Sequence, residues 1–155
     1  MKEVVVCVIL ILIIVLCILL NRQMVEPFSN NDFMICMFLT GGLKEEAENS
    51  IQTLKNIKLD DKLVVTTLDD EAYNHINKLG VKTEKRKTNL KRKADFGTKA
   101  FYDITLNKLD IIKNHLRKEN KIVVYTDTDI VFLKDISDDI YKFKNSHYDI
   151  MIQND

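Results

Sequence analysis

The period of the apolar positions changes several times along this chain, and each change predicts an element. From Val4 to Leu20 the run "VVVCVILILIIVLCILL" holds no polar or charged residue. As a helix it would span roughly 25 Å, which suits a thin bilayer such as that of the endoplasmic reticulum. A secretory signal has a shorter apolar region and a small-residue cleavage site. Here the run ends in "LLNRQMVEPF", which favours an uncleaved transmembrane anchor over residues 4–20. Lys2 and Glu3 on one side and Arg22 on the other leave its orientation unset by charge. Residues 1–3 are then a short flank. Residues 21–32, which hold the only proline, read as a linker to a domain over 33–155.

Beyond the linker, short continuous apolar runs alternate with helical spacings. "FMICMFLT" (Phe33 to Thr40) predicts a buried strand ended by Gly41-Gly42. Leu43, Ala47, Ile51, Leu54 and Ile57 recur as one face of a helix over Leu43 to Lys58. "KLVVTT" (Lys62 to Thr67) is a second strand. Asp69 caps a helix with Ala72, Tyr73 and Ile76 on one face, and Gly80 stops it. Lys82 to Lys93 ("KTEKRKTNLKRK") reads as a basic connection without regular structure, a solvated loop or a stretch attracting anionic donors or headgroups. Thr98 caps a long helix to about Lys118, and "KIVVYTD" is the next strand. Ser137 caps a short helix with Ile140 and Phe143, and "YDIMIQND" is expected to form a last strand. This alternation predicts an α/β domain with a mostly parallel, Rossmann-like sheet.

Composition narrows the picture. A chain 46% hydrophobic and 30% charged suits one modest globular domain after the anchor. Lys+Arg and Asp+Glu both number 23, and this zero balance argues against a nucleic-acid partner. Cys7 and Cys17 lie in the apolar N-terminus, which leaves Cys36 alone in the domain. No disulfide framework or zinc spacing results, and Cys36 is expected to be a buried small hydrophobe. His75, His115 and His147 show no ligand spacing.

In parallel α/β sheets ligands bind beyond the carboxyl ends of the strands. Thr40-Gly41-Gly42, Thr66-Thr67 and Asp127-Thr128-Asp129 all fall there, which makes Thr40 a candidate for nucleotide contact. "KIVVYTDTDIVFL" places Asp127 and Asp129 between two apolar runs. On an extended segment side chains two apart point the same way, so the pair could share one ligand. Two adjacent carboxylates repel unless a cation sits between them. Mg²⁺ or Mn²⁺ held by one or two carboxylates usually also binds substrate phosphates. A charged turn at the end of a strand is the plain alternative. A haloacid-dehalogenase-like phosphatase motif also fits these residues, with Asp127 as nucleophile and Asp129 as acid. That motif opens its domain, whereas here it comes late, with 26 residues after Asp129. An EF-hand lacks its Gly and distal Glu.

Lys108 falls in the middle of the apolar face formed by Phe101, Ile104, Ile111 and Ile112. Lysine is almost never fully buried without a partner. It either snorkels past the core edge or reaches an acidic partner, the aspartate pair or a diphosphate.

The stretch from Phe96 to Ile136, "FGTKAFYDITLNKLDIIKNHLRKENKIVVYTDTDIVFLKDI", resembles the nucleotide-diphospho-sugar transferase family typified by plant extensin arabinosyltransferases and pectin xylosyltransferases. Shared features are the Phe-Gly-Thr start, a helix with a central Lys, the strand, Asp-x-Asp, an apolar run and Lys134-Asp135. Lys62 to Val81 resembles the upstream strand-helix unit, and "YDIMIQND" the strand after the motif. The resemblance implies a GT-A fold, a nucleoside-diphosphate sugar donor, a glycan or protein acceptor and retention of configuration. It implies Mn²⁺ or Mg²⁺ held by Asp129 and Asp127, with Asp127 and Lys108 on the donor side, where Thr40 is a candidate from its place at the strand end, and leaves the catalytic residues unassigned. With the N-terminal run, the expectation is a single-pass type II membrane glycosyltransferase of the endoplasmic reticulum or Golgi, or of a viral or host membrane. GT-A domains are longer than this chain, and their second half carries the acceptor site. A truncated or inactive membrane-tethered donor-binding module therefore stands as the alternative.

Overall fold

A computed structural model describes residues 32–86, 97–119 and 121–153. The expected anchor, most of the linker and the basic residues 87–93 lie outside the described residues. Among the described residues no helix is long and apolar enough to cross a membrane.

Strand β1 (Phe33–Leu39) is buried at all seven positions, as its unbroken apolar run demands. Gly41 ends it, in a single 3-10 turn (Gly41–Leu43), where a Cβ would come within 2.9 Å of the Glu71 side chain. Helix α1 (Lys44–Asn56) buries Ala47, Ser50, Ile51 and Leu54, the face its spacing predicts. Leu43, expected on that face, lies in the 3-10 turn and is 42% exposed. Strand β2 (Leu63–Thr67) is fully buried. Helix α2 (Asp70–Asn77) starts at Asp69, whose side chain accepts from the Ala72 amide, and Gly80 follows it at φ +75°. Helix α3 (Lys99–Glu119) starts beside Thr98, which accepts from the Phe101 amide at 3.3 Å. Strand β4 (Ile122–Tyr125) and helix α4 (Ser137–Lys144) complete the order.

The sheet is entirely parallel in the order β3-β2-β1-β4, with β3 spanning Lys82–Lys85. The chain steps outward from β1 to β3, then returns to pair β4 on the other side of β1. This reversal makes the β1/β4 boundary the switch point where doubly wound sheets open a crevice. It also places helices on both faces. Phe33, Ile35, Met37 and Leu39 share one core with α1, α2 and Ile140 of α4. Met34, Cys36 and Phe38 face the other way, toward Ile111 and Ile112 of α3 and Tyr125 of β4.

Three further expectations change. Lys82–Lys85 is a strand rather than an irregular connection, because β2 offers it a parallel edge and the edge position lets its charged side chains stay in water. The amide of Ser137 donates to the Asp135 carboxylate at 2.7 Å, so Asp135, not Ser137, satisfies the start of α4. "YDIMIQND" forms no strand over its described part, residues 148–153. No neighbouring strand meets it among the described residues, and Tyr148, Ile150 and Ile152 stay exposed. An extended segment without a partner leaves its backbone groups to water, so apolar alternation alone does not make a strand.

Candidate functional site

Strand β4 pairs with β1 only as far as Tyr125 opposite Cys36, and the Thr126 amide closes the ladder on the Cys36 carbonyl at 3.0 Å. The chain then turns at Thr128–Asp129. By Phe132 it has reached the other face of the sheet, where the Phe132 amide donates to the Thr53 hydroxyl of α1 at 3.0 Å. Asp127 and Asp129 thus lie where the chain passes over the carboxyl edge of the sheet, both exposed, with Thr128 buried between them. The expected extended segment stops short of them. A turn, not the two-residue repeat of a strand, sets how the two carboxylates relate.

Lys108 answers the question its position raised. Its ammonium donates to Oδ1 of Asp127 at 2.8 Å, so the lysine reaches an acidic partner instead of snorkelling to bulk water. Two rings line its path. The Nζ stands 4.6 Å from the centroid of the Tyr125 ring and 5.9 Å from that of Phe38, within cation–π range. The two rings lie 6.3 Å apart in a tilted arrangement. The Tyr125 hydroxyl also donates to Asp127 Oδ1, at 2.6 Å.

These contacts set the charges. Partial burial works to raise the Asp127 pKa, but the hydrogen bonds from Lys108 and Tyr125 and the lysine's charge outweigh it. The carboxyl is held below its ordinary value. Burial and the neighbouring carboxylate push the Tyr125 hydroxyl far up, so it stays a proton donor. Burial pushes the Cys36 thiol up to about 12, which agrees with its reading as a small hydrophobe.

Both donors converge on Oδ1, and no donor among the described residues meets Oδ2 of Asp127 or either oxygen of Asp129. Two carboxylates offering open oxygens fit a hard divalent cation that completes its shell with water and phosphate. Among the described residues no group of three or more His, Cys, Asp or Glu gathers to cage a metal without such help. The site is an open edge, and a shallow, mostly apolar concavity of about 380 Å³ lies elsewhere, between α4 and Tyr148–Met151.

A family model for nucleotide-diphospho-sugar transferases matches residues 58–155, more than half of the chain. The chain belongs to this family. No curated protein and no solved structure matches it. Membership in the nucleotide-diphospho-sugar transferases carries a glycosyltransferase-type function and a nucleotide-sugar donor. The matched stretch holds β2 through α4, and therefore Lys108, Asp127 and Asp129 together. Thr40 precedes it. The structure places Thr40 buried at the end of β1, on the same sheet edge as Asp127 but in none of the bonds that join Asp127 to α3.

Three residues at this edge carry no site signal in the sequence. Phe38 and Tyr125 look there like strand filler, although the hydroxyl of Tyr125, the last residue of β4, donates to Asp127. Asp69 looks like a helix cap alone. Its second oxygen also accepts from the Gly41 amide at 2.7 Å, tying the turn after β1 to the start of α2.

Proposed function

We propose that the chain is a metal-dependent glycosyltransferase of GT-A type, moving a sugar from a nucleoside diphosphate to a glycan or protein acceptor. The observation that carries this reading is the Lys108–Asp127–Tyr125 constellation at the switch point, which presents an open carboxylate oxygen beside a second carboxylate. Asp127 and Asp129 would hold Mn²⁺ or Mg²⁺, and the bound ion would supply Lewis acidity toward the diphosphate. Lys108 keeps Asp127 ionised and in place, and adds positive charge on the side where phosphates arrive. Thr40 contributes from the end of β1, next to the same crevice. The family's retention of configuration and an N-terminal anchor over Val4 to Leu20, in an endoplasmic reticulum, Golgi, viral or host membrane, belong to the same reading.

The test is donor affinity with and without metal. Replacing Asp129 with Asn removes the charge while conserving size, and metal-dependent binding of a nucleoside diphosphate should disappear. Unchanged affinity in that variant defeats the reading. Transfer or hydrolysis of a labelled nucleotide sugar by the full chain separates an enzyme from a module that only binds donor.

A further inference from the structure

We infer that Tyr125 is a positioning residue that limits Asp127 to one coordinating oxygen and so selects a small octahedral cation over Ca²⁺. This rests on the proposed metal site at Asp127 and Asp129. The Tyr125 hydroxyl and the Lys108 ammonium occupy the same carboxylate oxygen, Oδ1, at 2.6 and 2.8 Å. Hydrogen bonds to a charged acceptor at these lengths are strong and directional. The tyrosine is well placed to hold its end of the bond. Its ring packs with Phe38, Cys36 and Ile111 between β1 and α3, and its backbone is fixed by the last rung of the β1/β4 ladder.

A carboxylate capped in this way has only Oδ2 to give. Mg²⁺ and Mn²⁺ sites are served by single carboxylate oxygens in octahedral geometry. Ca²⁺ takes six to eight oxygens and commonly uses a carboxylate through both. Releasing Oδ1 should therefore cost the small cation its oriented ligand while giving Ca²⁺ a bidentate bite. Lys108 alone supplies a weaker constraint, because its ammonium sits on a flexible stem whereas the phenol is rigid. Hydrogen-bonding partners of metal ligands are typically worth about 10–100-fold in affinity.

The experiment compares the full chain with its Tyr125→Phe variant, which keeps the ring against Lys108 and removes only the hydroxyl. Free Mn²⁺ is followed by electron paramagnetic resonance in the presence of uridine or guanosine diphosphate, and Ca²⁺ is added as competitor. Tyr125→Phe should weaken Mn²⁺ about tenfold and bring Ca²⁺ closer to parity with it, with an unfolding midpoint close to that of the unmodified chain. Equal weakening of both cations, or no change in either, overturns the inference. A double-mutant cycle of Tyr125→Phe with Asp127→Ala, read by thermal unfolding of metal-free protein, checks the bond itself, and strict additivity also overturns it. The two readings fail separately. If the unmodified chain binds no Mn²⁺, the metal site falls and this inference with it. If it binds Mn²⁺ and loses it in Asp127→Ala, while Tyr125→Phe keeps the Mn²⁺ to Ca²⁺ ratio, only the role of Tyr125 falls.

Discussion

The two faces of the central sheet are built from alternate residues of the same strands, yet they do different work. On one face Phe33, Ile35, Met37, Leu39, Leu63 and Val65 meet three helices, and the buried polar residues Ser50 of α1 and Thr67 of β2 carry no charge. On the other, among the described residues, Met34, Cys36, Phe38 and Tyr125 meet α3, and that helix brings Lys108 into the layer. A face sealed by several helices gains stability from every residue but has no room for a charge, because a buried unpaired charge is prohibitively costly. A face covered by one helix is thinner, and its edge lies close enough to water for an ammonium and a carboxylate to pair. Among the described residues, the Lys108–Asp127 pair lies on the side that one helix covers. The neighbours Phe38 and Leu39, one residue apart and both buried, belong to opposite sides of this division.

That pair supplies the largest expected contrast. Leu39→Ala empties a fully buried position under α1 and α2 and should cost about 2–5 kcal/mol in urea unfolding. Phe38→Leu keeps most of the volume and should cost about 1 kcal/mol, with loss of one of the two rings beside Lys108. Equal losses at the two positions would erase the distinction between the faces. A changed denaturant slope in either variant would mean that more than local packing was altered.

Asp69 tests the seam on the first face. Its two oxygens serve the Gly41 and Ala72 amides, so Asp69→Ala removes a helix cap and frees the turn after β1 at once. The expected cost is about 1–2 kcal/mol. Asp69→Asn keeps one acceptor oxygen and should recover roughly half of it. A full-sized loss in the asparagine variant would instead mean that negative charge at the start of α2 matters more than the two hydrogen bonds.

Most of the fold was legible in the sequence because continuous apolar runs and 3.6-residue spacings report burial directly. β1, α1, β2, α2, α3 and β4 follow from them. Lys82–Lys85 escaped because an edge strand is polar and is defined by the neighbour it pairs with, not by its own pattern. Tyr148 to Ile152 misled for the converse reason, having the pattern without a neighbour. Helix α3 carries two apolar stripes, and Tyr102, Leu106, Leu109 and Leu116 remain exposed while Ile111 is buried. The stripe that the sequence spacing singles out is the one that meets the sheet, through Ile104, Ile111 and Ile112. At the site, the place of Lys108 on its helix left snorkelling, the aspartate pair or a diphosphate open, and the folded chain pairs it with Asp127. The part played by Tyr125 could not be read from sequence, since its hydroxyl matters only once β4 stops and the chain turns at Thr128–Asp129.

The smallest effect probes whether the Lys108–Asp127 pair belongs to the fold or only to the site. The folded Asp127 carboxyl titrates below its ordinary value, so the folded chain binds its proton less readily than the unfolded chain. The stability this contributes is complete above the ordinary carboxylate value of about 3.9. It disappears as the pH falls through the lower folded value. Because the Asp127 side chain is 55% exposed, solvent screens the pair, and its worth is below about 1 kcal/mol. Lys108→Met should thus be slightly less stable than the unmodified chain at pH 6, and the gap should narrow as the pH falls below the ordinary carboxylate value. A gap that persists unchanged at acid pH would show that the methionine loses ring packing against Phe38 and Tyr125 instead of an ion pair. Lys108 would then count as part of the α3 core rather than as the link between that core and Asp127.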